Sequence, residues 1–369
     1  MDAATEPRVL VRASSGLGRL TLNRPRAINA LDLGMVHTLA AALDEWESDP
    51  DVGIVLLDGT GDRGFCAGGD VRGLAEQIQT GNAEAATAFF RDEYALNARI
   101  AEYPRQIVVI ADGITMGGGI GLAGHAAVRV VTERSALAMP ETRIGFTPDV
   151  GGTWLLGRAP GRLGEYLALT GASMDAADAV YAGFADHVVP SAHLDALRDA
   201  LETRADPATP AELVLLFDET PPPSKLGAAR AWIDDAFAAD TVAEIIARLR
   251  EQAEQAEQAE RGQQAEGAAD HGPAATADTL EELSPVALTV TLEAVRRARA
   301  LPNLRAALAQ EYGLVGWFAA TQPDLVEGIR AQLVDKDRSP RWVPASLDQI
   351  GARLVAEAFA HRPAIPLWS

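Results

Sequence analysis

The sequence predicts an α/β fold of repeated ββα units, completed by a helical C-terminal region. Two observations carry this prediction. Apolar runs of strand length at 53–57, 106–111 and 128–131 alternate with stretches of helical spacing. Beyond Gly171 the strand-like runs give way to a mainly helical texture. The chain therefore divides into a core over 1–205 and a helical region over 206–369, with a low-complexity insert at about 251–278.

Each element has a local reason. Val9-Leu10-Val11 and Arg19-Leu20-Thr21-Leu22 flank a turn at Ser15-Gly16 and read as a hairpin. Leu33, Val36, Leu39, Ala40, Leu43 and Trp46 recur at helical spacing, and Asp49-Pro50 stops that helix. The run at 53–57 is continuously apolar, as a strand covered on both faces would be. A loop with five glycines follows from Asp58 to Arg72. A helix over 83–102 leads to the strand at 106–111, and Asp112-Gly113 turns the chain. Gly117-Gly118-Gly119 opens a short helix over 120–125 before the strand at 128–131. Three copies of Glu-Gln-Ala over 251–259, then a Gln/Ala/Gly-rich run, cannot bury a core and predict an exposed, fraying helix extension. Helices over 283–299 and 304–320 end the pattern.

Composition narrows the function. A formal charge of −20 argues against nucleic acid and anionic membranes as main partners. It leaves room for an anionic ligand held by a few local groups. The one cysteine, Cys66, allows neither an internal disulfide nor a cysteine metal cluster, and its apolar flanks suit a small core residue. His37, His125 and His187 have no metal-ligand spacing. The chain has no uncharged apolar stretch of membrane-spanning length, and its start lacks a secretory pattern, so the expected location is cytoplasmic.

Three segments stand out: Gly64-Phe65-Cys66-Ala67-Gly68-Gly69-Asp70, Gly113-Ile114-Thr115-Met116-Gly117-Gly118-Gly119, and the run from Met139 to Gly152. Each follows a predicted strand, where ligands bind in α/β sheets. Glycine lets backbone N–H groups approach a ligand, and two N–H groups aimed at one point stabilise a developing oxyanion. Neither glycine cluster continues into Gly-Lys-Ser/Thr, which argues against a nucleotide phosphate loop.

These segments resemble the crotonase (enoyl-CoA hydratase/isomerase) superfamily and, within it, the hydrolases of 3-hydroxyisobutyryl-CoA. The likeness runs from Leu22-Asn23-Arg24-Pro25-Arg26-Ala27-Ile28-Asn29-Ala30-Leu31 through the three motifs and Leu167-Ala168-Leu169-Thr170-Gly171. It resumes from Leu333 to Trp342 and covers nearly the whole chain outside the insert. The resemblance implies an acyl-CoA thioester as substrate, no cofactor beyond that CoA, and no metal. It places the oxyanion hole on Gly69 and Gly118, and CoA near Arg26, Ala27, Ala67 and Gly68. Substrate contacts fall on Glu93, Gly118, Glu141 and Asp149. Crotonase relatives often assemble through the helical C-terminal part, so a homo-oligomer stays open.

Hydratases of this superfamily use two glutamates, one of them three residues after the middle glycine of the second motif. That position is Gly121 here, whereas the other glutamate is present as Glu141. A single carboxylate suits thioester hydrolysis better than addition of water to a double bond. The implied reaction releases CoA and 3-hydroxyisobutyrate, a step of valine breakdown. Glu141 is then the general base or the nucleophile of a transient anhydride, two routes the sequence does not separate. Asp149 orients Glu141 or the water, and Glu93 binds the acyl hydroxyl. The alternatives are a hydratase or isomerase of the same family, or a non-catalytic acyl-CoA binder.

Overall fold

Ser15 and Gly16, both at positive φ, turn the chain between β1 (Val9–Ser14) and β2 (Gly16–Leu22) and close the predicted hairpin. The computed structural model describes residues 6–80, 83–203, 206, 208–260 and 272–368. From β2 the chain crosses through α1 (Leu33–Glu47) to β3 (Val52–Gly59), parallel to β2. The Asp32 carboxylate caps α1 by accepting from Met35 N–H, and Met35, Val36, Leu39, Leu43 and Trp46 form its buried face. Next come α2 (Val71–Gln79), α3 (Ala83–Ala101) and β4 (Gln106–Ala111), parallel to β3. Then follow β5 (Ile114–Met116), α4 (Gly118–Ala123), β6 (Val128–Val131) and β7 (Ala136–Ala138).

With β8 (His187–Val188) the main sheet has the order β1-β2-β3-β4-β6-β8, antiparallel only between β1 and β2. A second sheet pairs β5 with β7 in parallel. This is the expected α/β fold of crossover units, in which the main sheet grows strand by strand. Side-chain alternation splits the core in two. Leu17, Ile54, Leu56, Val108 and Ile110 pack on one face with Leu194, Leu197 and Leu201. Leu20, Leu22, Val55, Leu57, Ile107 and Val109 face the larger core.

The remaining helices are α5 (Gly152–Arg158), α6 (Leu163–Thr170), α7 (Ala176–Ala182), α8 (Leu194–Thr203) and α9 (Pro210–Val214). They continue as α10 (Lys225–Phe237), α11 (Val242–Glu260), α12 (Pro273–Glu282) and α13 (Pro285–Ala298). The set closes with α14 (Leu304–Thr321), α15 (Asp324–Ile329) and α16 (Ala352–Ala360). Helix α13 lies against α5 and α6, while α14 lies along α3. The C-terminal region thus packs onto α3 and onto the elements that carry and follow the third motif.

Three expectations change. Helix α4 begins at Gly118 rather than at residue 120, because a glycine-only backbone turn at Gly117 starts it earlier. The short strands β5 and β7 and the helix α2 appear where a loop or no element was expected. The insert is shorter than 251–278. Its Glu-Gln-Ala copies do extend α11, but residues 273–278 belong to α12, which starts at Pro273 and buries Thr276, Ala277 and Leu280. The part of the insert at 261–271 lies outside the described residues.

Candidate active site

The first glycine motif is fixed by bonds on both sides. Cys66 N–H donates to Ile114 C=O at 3.1 Å, and Met116 N–H donates to Cys66 C=O at 2.9 Å. Buried Asn29 donates from Nδ2 to the carbonyls of Thr60 and Phe65, each at 3.0 Å. Leu31 N–H reaches Gly68 C=O and Asp70 N–H reaches Leu31 C=O, both at 2.8 Å. Those bonds bracket Gly69, whose own N–H donates to no acceptor among the described residues. Gly68 sits at φ 100°, a backbone conformation that side-chain-bearing residues rarely adopt.

Gly118 is the first residue of α4, where a helix leaves its N–H groups without internal acceptors. A Cβ placed on Gly118 would lie 3.3 Å from Gly69 N, and one on Gly68 would lie 3.6 Å from Gly118 N. The two N–H-bearing peptides therefore stand together at one small opening. Such a pair can hold a carbonyl oxygen that gains negative charge.

Carboxyl groups flank the opening. Glu141 begins a 3-10 turn (Glu141–Ile144) behind Pro140, and its Oε1 lies 3.0 Å from the place of a Cβ on Gly117. Glu93, from α3, brings Oε1 to 2.5 Å from the place of a Cβ on Gly118. Glu141 Oε2 and Glu93 Oε1 are buried and have no hydrogen-bond partner among the described residues. Asp149 accepts from the Tyr94 hydroxyl at 2.7 Å. After Asp149 the chain turns through Val150 at φ 53° and Gly151 at φ 78°. A β-branched residue in that region is strained, so the surroundings must hold it. His125 Nε2 bonds Val150 C=O at 2.8 Å, and Glu311 accepts from Gly151 N–H at 2.7 Å and from Thr153 N–H at 2.9 Å.

The electrostatics are those of acids without cations. Burial, followed by the charge of Asp149, raises both Glu93 and Glu141 well above the ordinary carboxylate range. Burial pushes Asp149 up to about 7 even though Tyr94 donates to it. It pushes Glu311 up to about 8 against its own three donors. Carboxyls poised near neutrality are suited to exchange protons with a reacting group.

The structure brings Gly69, Gly118, Glu93, Glu141 and Asp149 into one neighbourhood. Arg26, Ala27 and Ala67 form an exposed ledge beside it, with Gly68 buried behind them. One detail needs correction: Ala67 N–H already donates to Ile28 C=O at 2.9 Å, so that amide is not available to a phosphate. Cys66 is fully buried with its thiol pushed up to about 12, and it is the expected core residue. Among the described residues, no group of three or more His, Cys, Asp or Glu is placed to hold a metal ion.

Gly121 has no room for a side chain. A Cβ there would lie 2.7 Å from Val150 Cβ and 2.8 Å from Asn97 Nδ2. The roles of Tyr94, Asn97, His125 and Glu311 were not read from the sequence. A signal existed for Glu311, which interrupts the apolar stripe of Ala307, Leu308, Leu314, Val315 and Phe318 on α14. Tyr94 and Asn97 stand one and four residues from Glu93, but nothing local marks them out.

A glycine-built hole flanked by carboxyls, on a spiral of crossover units, defines a class, and the chain belongs to the enoyl-CoA hydratase/isomerase family, whose model matches residues 17–359. Within that family it is similar to 3-hydroxyisobutyryl-CoA hydrolase 1 of Arabidopsis thaliana, with 38% identity covering 97% of this chain and 93% of the relative. The mitochondrial 3-hydroxyisobutyryl-CoA hydrolase of Danio rerio is 35% identical over 98% of this chain and 91% of its own. Among solved structures, a carnitinyl-CoA dehydratase from Mycobacterium thermoresistibile superposes with a TM-score of 0.86 at 46% identity, covering 98% of both chains.

Proposed function

We propose that this protein hydrolyses an acyl-CoA thioester, with 3-hydroxyisobutyryl-CoA as its substrate, and needs no cofactor beyond the CoA of that substrate. The observation that carries the choice of reaction is Gly121. The names of its relatives point to two chemistries, hydrolysis and dehydration. The reversible addition of water to a double bond in this family calls for a second glutamate at 121, and Val150 and Asn97 fill that space. One free carboxyl beside the hole suffices for hydrolysis.

Gly69 N–H and Gly118 N–H hold the thioester oxygen as its carbon is attacked. Glu141 either takes a proton from the attacking water or attacks the carbonyl itself to give an anhydride that water then opens. In the first route the C–S bond breaks as the water oxygen bonds to the acyl carbon, and Glu141 passes the proton it took from that water to the departing thiolate. In the second the Glu141 carboxylate forms the C–O bond that replaces C–S, and the thiolate takes its proton from solvent. Water then breaks the anhydride C–O bond to release the acid and restore Glu141. Asp149, held by Tyr94, orients Glu141, and Glu93 faces the acyl group. Arg26, Ala27, Ala67 and Gly68 offer the ledge for CoA. A cytoplasmic location belongs to the same reading. The Danio rerio relative is named as mitochondrial, and no helix of the described residues is long and apolar enough to cross a membrane.

The test is thiol release from 3-hydroxyisobutyryl-CoA, followed with a thiol reagent, beside hydration of crotonyl-CoA. Release of CoA without hydration supports the reading. Hydration without thiol release overturns it.

A further inference from the structure

Asn97 is wholly buried, and neither its Oδ1 nor its Nδ2 has a hydrogen-bond partner among the described residues. Buried amides are nearly always bonded, so a side chain with both polar atoms unpartnered calls for a ligand. Asn97 stands one turn along α3 from Glu93, and residues four apart share a helix face. That face meets α4 in register. Glu93 Oε1 lies 2.5 Å from the Cβ position of Gly118, and Asn97 Nδ2 and Oδ1 lie 2.8 Å and 3.1 Å from that of Gly121.

Gly118 N–H belongs to the hole for the thioester oxygen. Gly121 is three residues further, a rise of about 4.5 Å along a helix. An extended acyl chain leaving the hole in that direction brings any hydroxyl on its β-carbon toward Asn97, whose amide, with Val150, fills the space over Gly121. A hydroxyl is both donor and acceptor, and an amide offers one of each. An amide does not take protons from water near neutrality, so it orients and does not catalyse.

We propose that Asn97, one turn along α3 from Glu93, joins it in recognising the β-hydroxyl of the acyl group and so determines specificity, an inference that rests on the hydrolase reading above. The experiment compares kcat/KM for 3-hydroxyisobutyryl-CoA and isobutyryl-CoA, which lacks the hydroxyl, in the full chain and in Asn97→Leu. Wild type is expected to favour the hydroxylated substrate by about a hundredfold or more, because the analogue leaves buried polar groups unpaired. In Asn97→Leu most of that preference disappears through loss on the hydroxylated substrate, while isobutyryl-CoA changes by no more than a few-fold. The Tm is not lowered, since an apolar group of similar shape replaces an amide without partners. If the leucine does not fold, Asn97→Ala carries the same comparison.

An unchanged ratio in the variant, an equal loss on both substrates, or a wild type with no preference would overturn the proposal while leaving the hydrolase intact. Equal loss would instead mark Asn97 as a holder of the attacking water. No thiol release from either substrate by wild type would remove the hydrolase reading, and this proposal with it.

Discussion

Glu311 Oε1 accepts the N–H of Thr153 at 2.9 Å, so a carboxyl on α14 completes a loop that lies 158 residues earlier. The other oxygen takes Gly151 N–H at 2.7 Å. Helix α5 has a glycine, Gly151, at its N-cap, with no side chain to serve its first N–H groups. The cap comes from a distant helix instead. Because α5 starts just after Asp149, the C-terminal region helps to set where Asp149 stands. The site therefore draws on residues from both sides of the division expected at 205.

Glu311→Ala should therefore act on stability and turnover together. Each buried N–H left without an acceptor costs about 1–3 kcal/mol, enough to lower the Tm measurably. Loosening of the Asp149 loop should lower kcat in the same variant. Glu311→Gln keeps one acceptor oxygen and should fall between the two. Thermal unfolding and kcat identical to wild type in Glu311→Ala would refute the capping role.

Glu141→Gln keeps shape and removes the proton acceptor. Turnover of the thioester should fall by about 10²–10⁴-fold, the usual weight of a general base, with the fold unchanged by circular dichroism. Near wild-type kcat would move the chemistry to another group.

Asp149→Asn changes the pH profile in a direction that the electrostatics fix. Glu141 must be ionised to act, and after burial the charge of Asp149 is the largest influence raising it. Removing that charge lowers the Glu141 value, so the acid limb of kcat/KM should move to lower pH. Any fall in kcat is a separate effect of lost orientation. A limb that stays in place or moves up would contradict the coupling.

Gly121→Ala tests whether the missing carboxylate is only missing or also excluded. Helix propensity alone would favour alanine over glycine by roughly 0.5–1 kcal/mol. The 2.7 Å approach to Val150 Cβ outweighs it, since overpacking of a tight core costs about 1–3 kcal/mol. The Tm should drop, and Gly121→Glu should drop further without gaining crotonyl-CoA hydration. A stable Gly121→Glu protein that hydrates crotonyl-CoA would show that the space can open.

Much of this was legible in the chain itself. Continuous apolar runs marked β3, β4 and β6 because those strands are covered on both faces, and helical spacing marked α1, α13 and α14. The strands β5 and β7 were not legible, since three residues carry no periodicity. Gly69, Gly118 and Glu141 could be read because close backbone approach demands glycine and the family pattern supplies the acid. Asn97 and His125 could not, because their partners are set by how α3 and α4 pack rather than by neighbours in sequence. The absence of a carboxylate at 121 was visible, whereas the crowding that enforces it was not.

The buried carboxyls have one further consequence. Glu93, Glu141 and Asp149 have no neighbouring cation among the influences that set their charge. A thioester enters that pocket as a neutral group. Hydrolysis turns its acyl half into an anion, in a place where like charge is poorly screened and no counter-ion waits. A site that raises its own carboxyls in this way favours the neutral thioester over the anion it becomes.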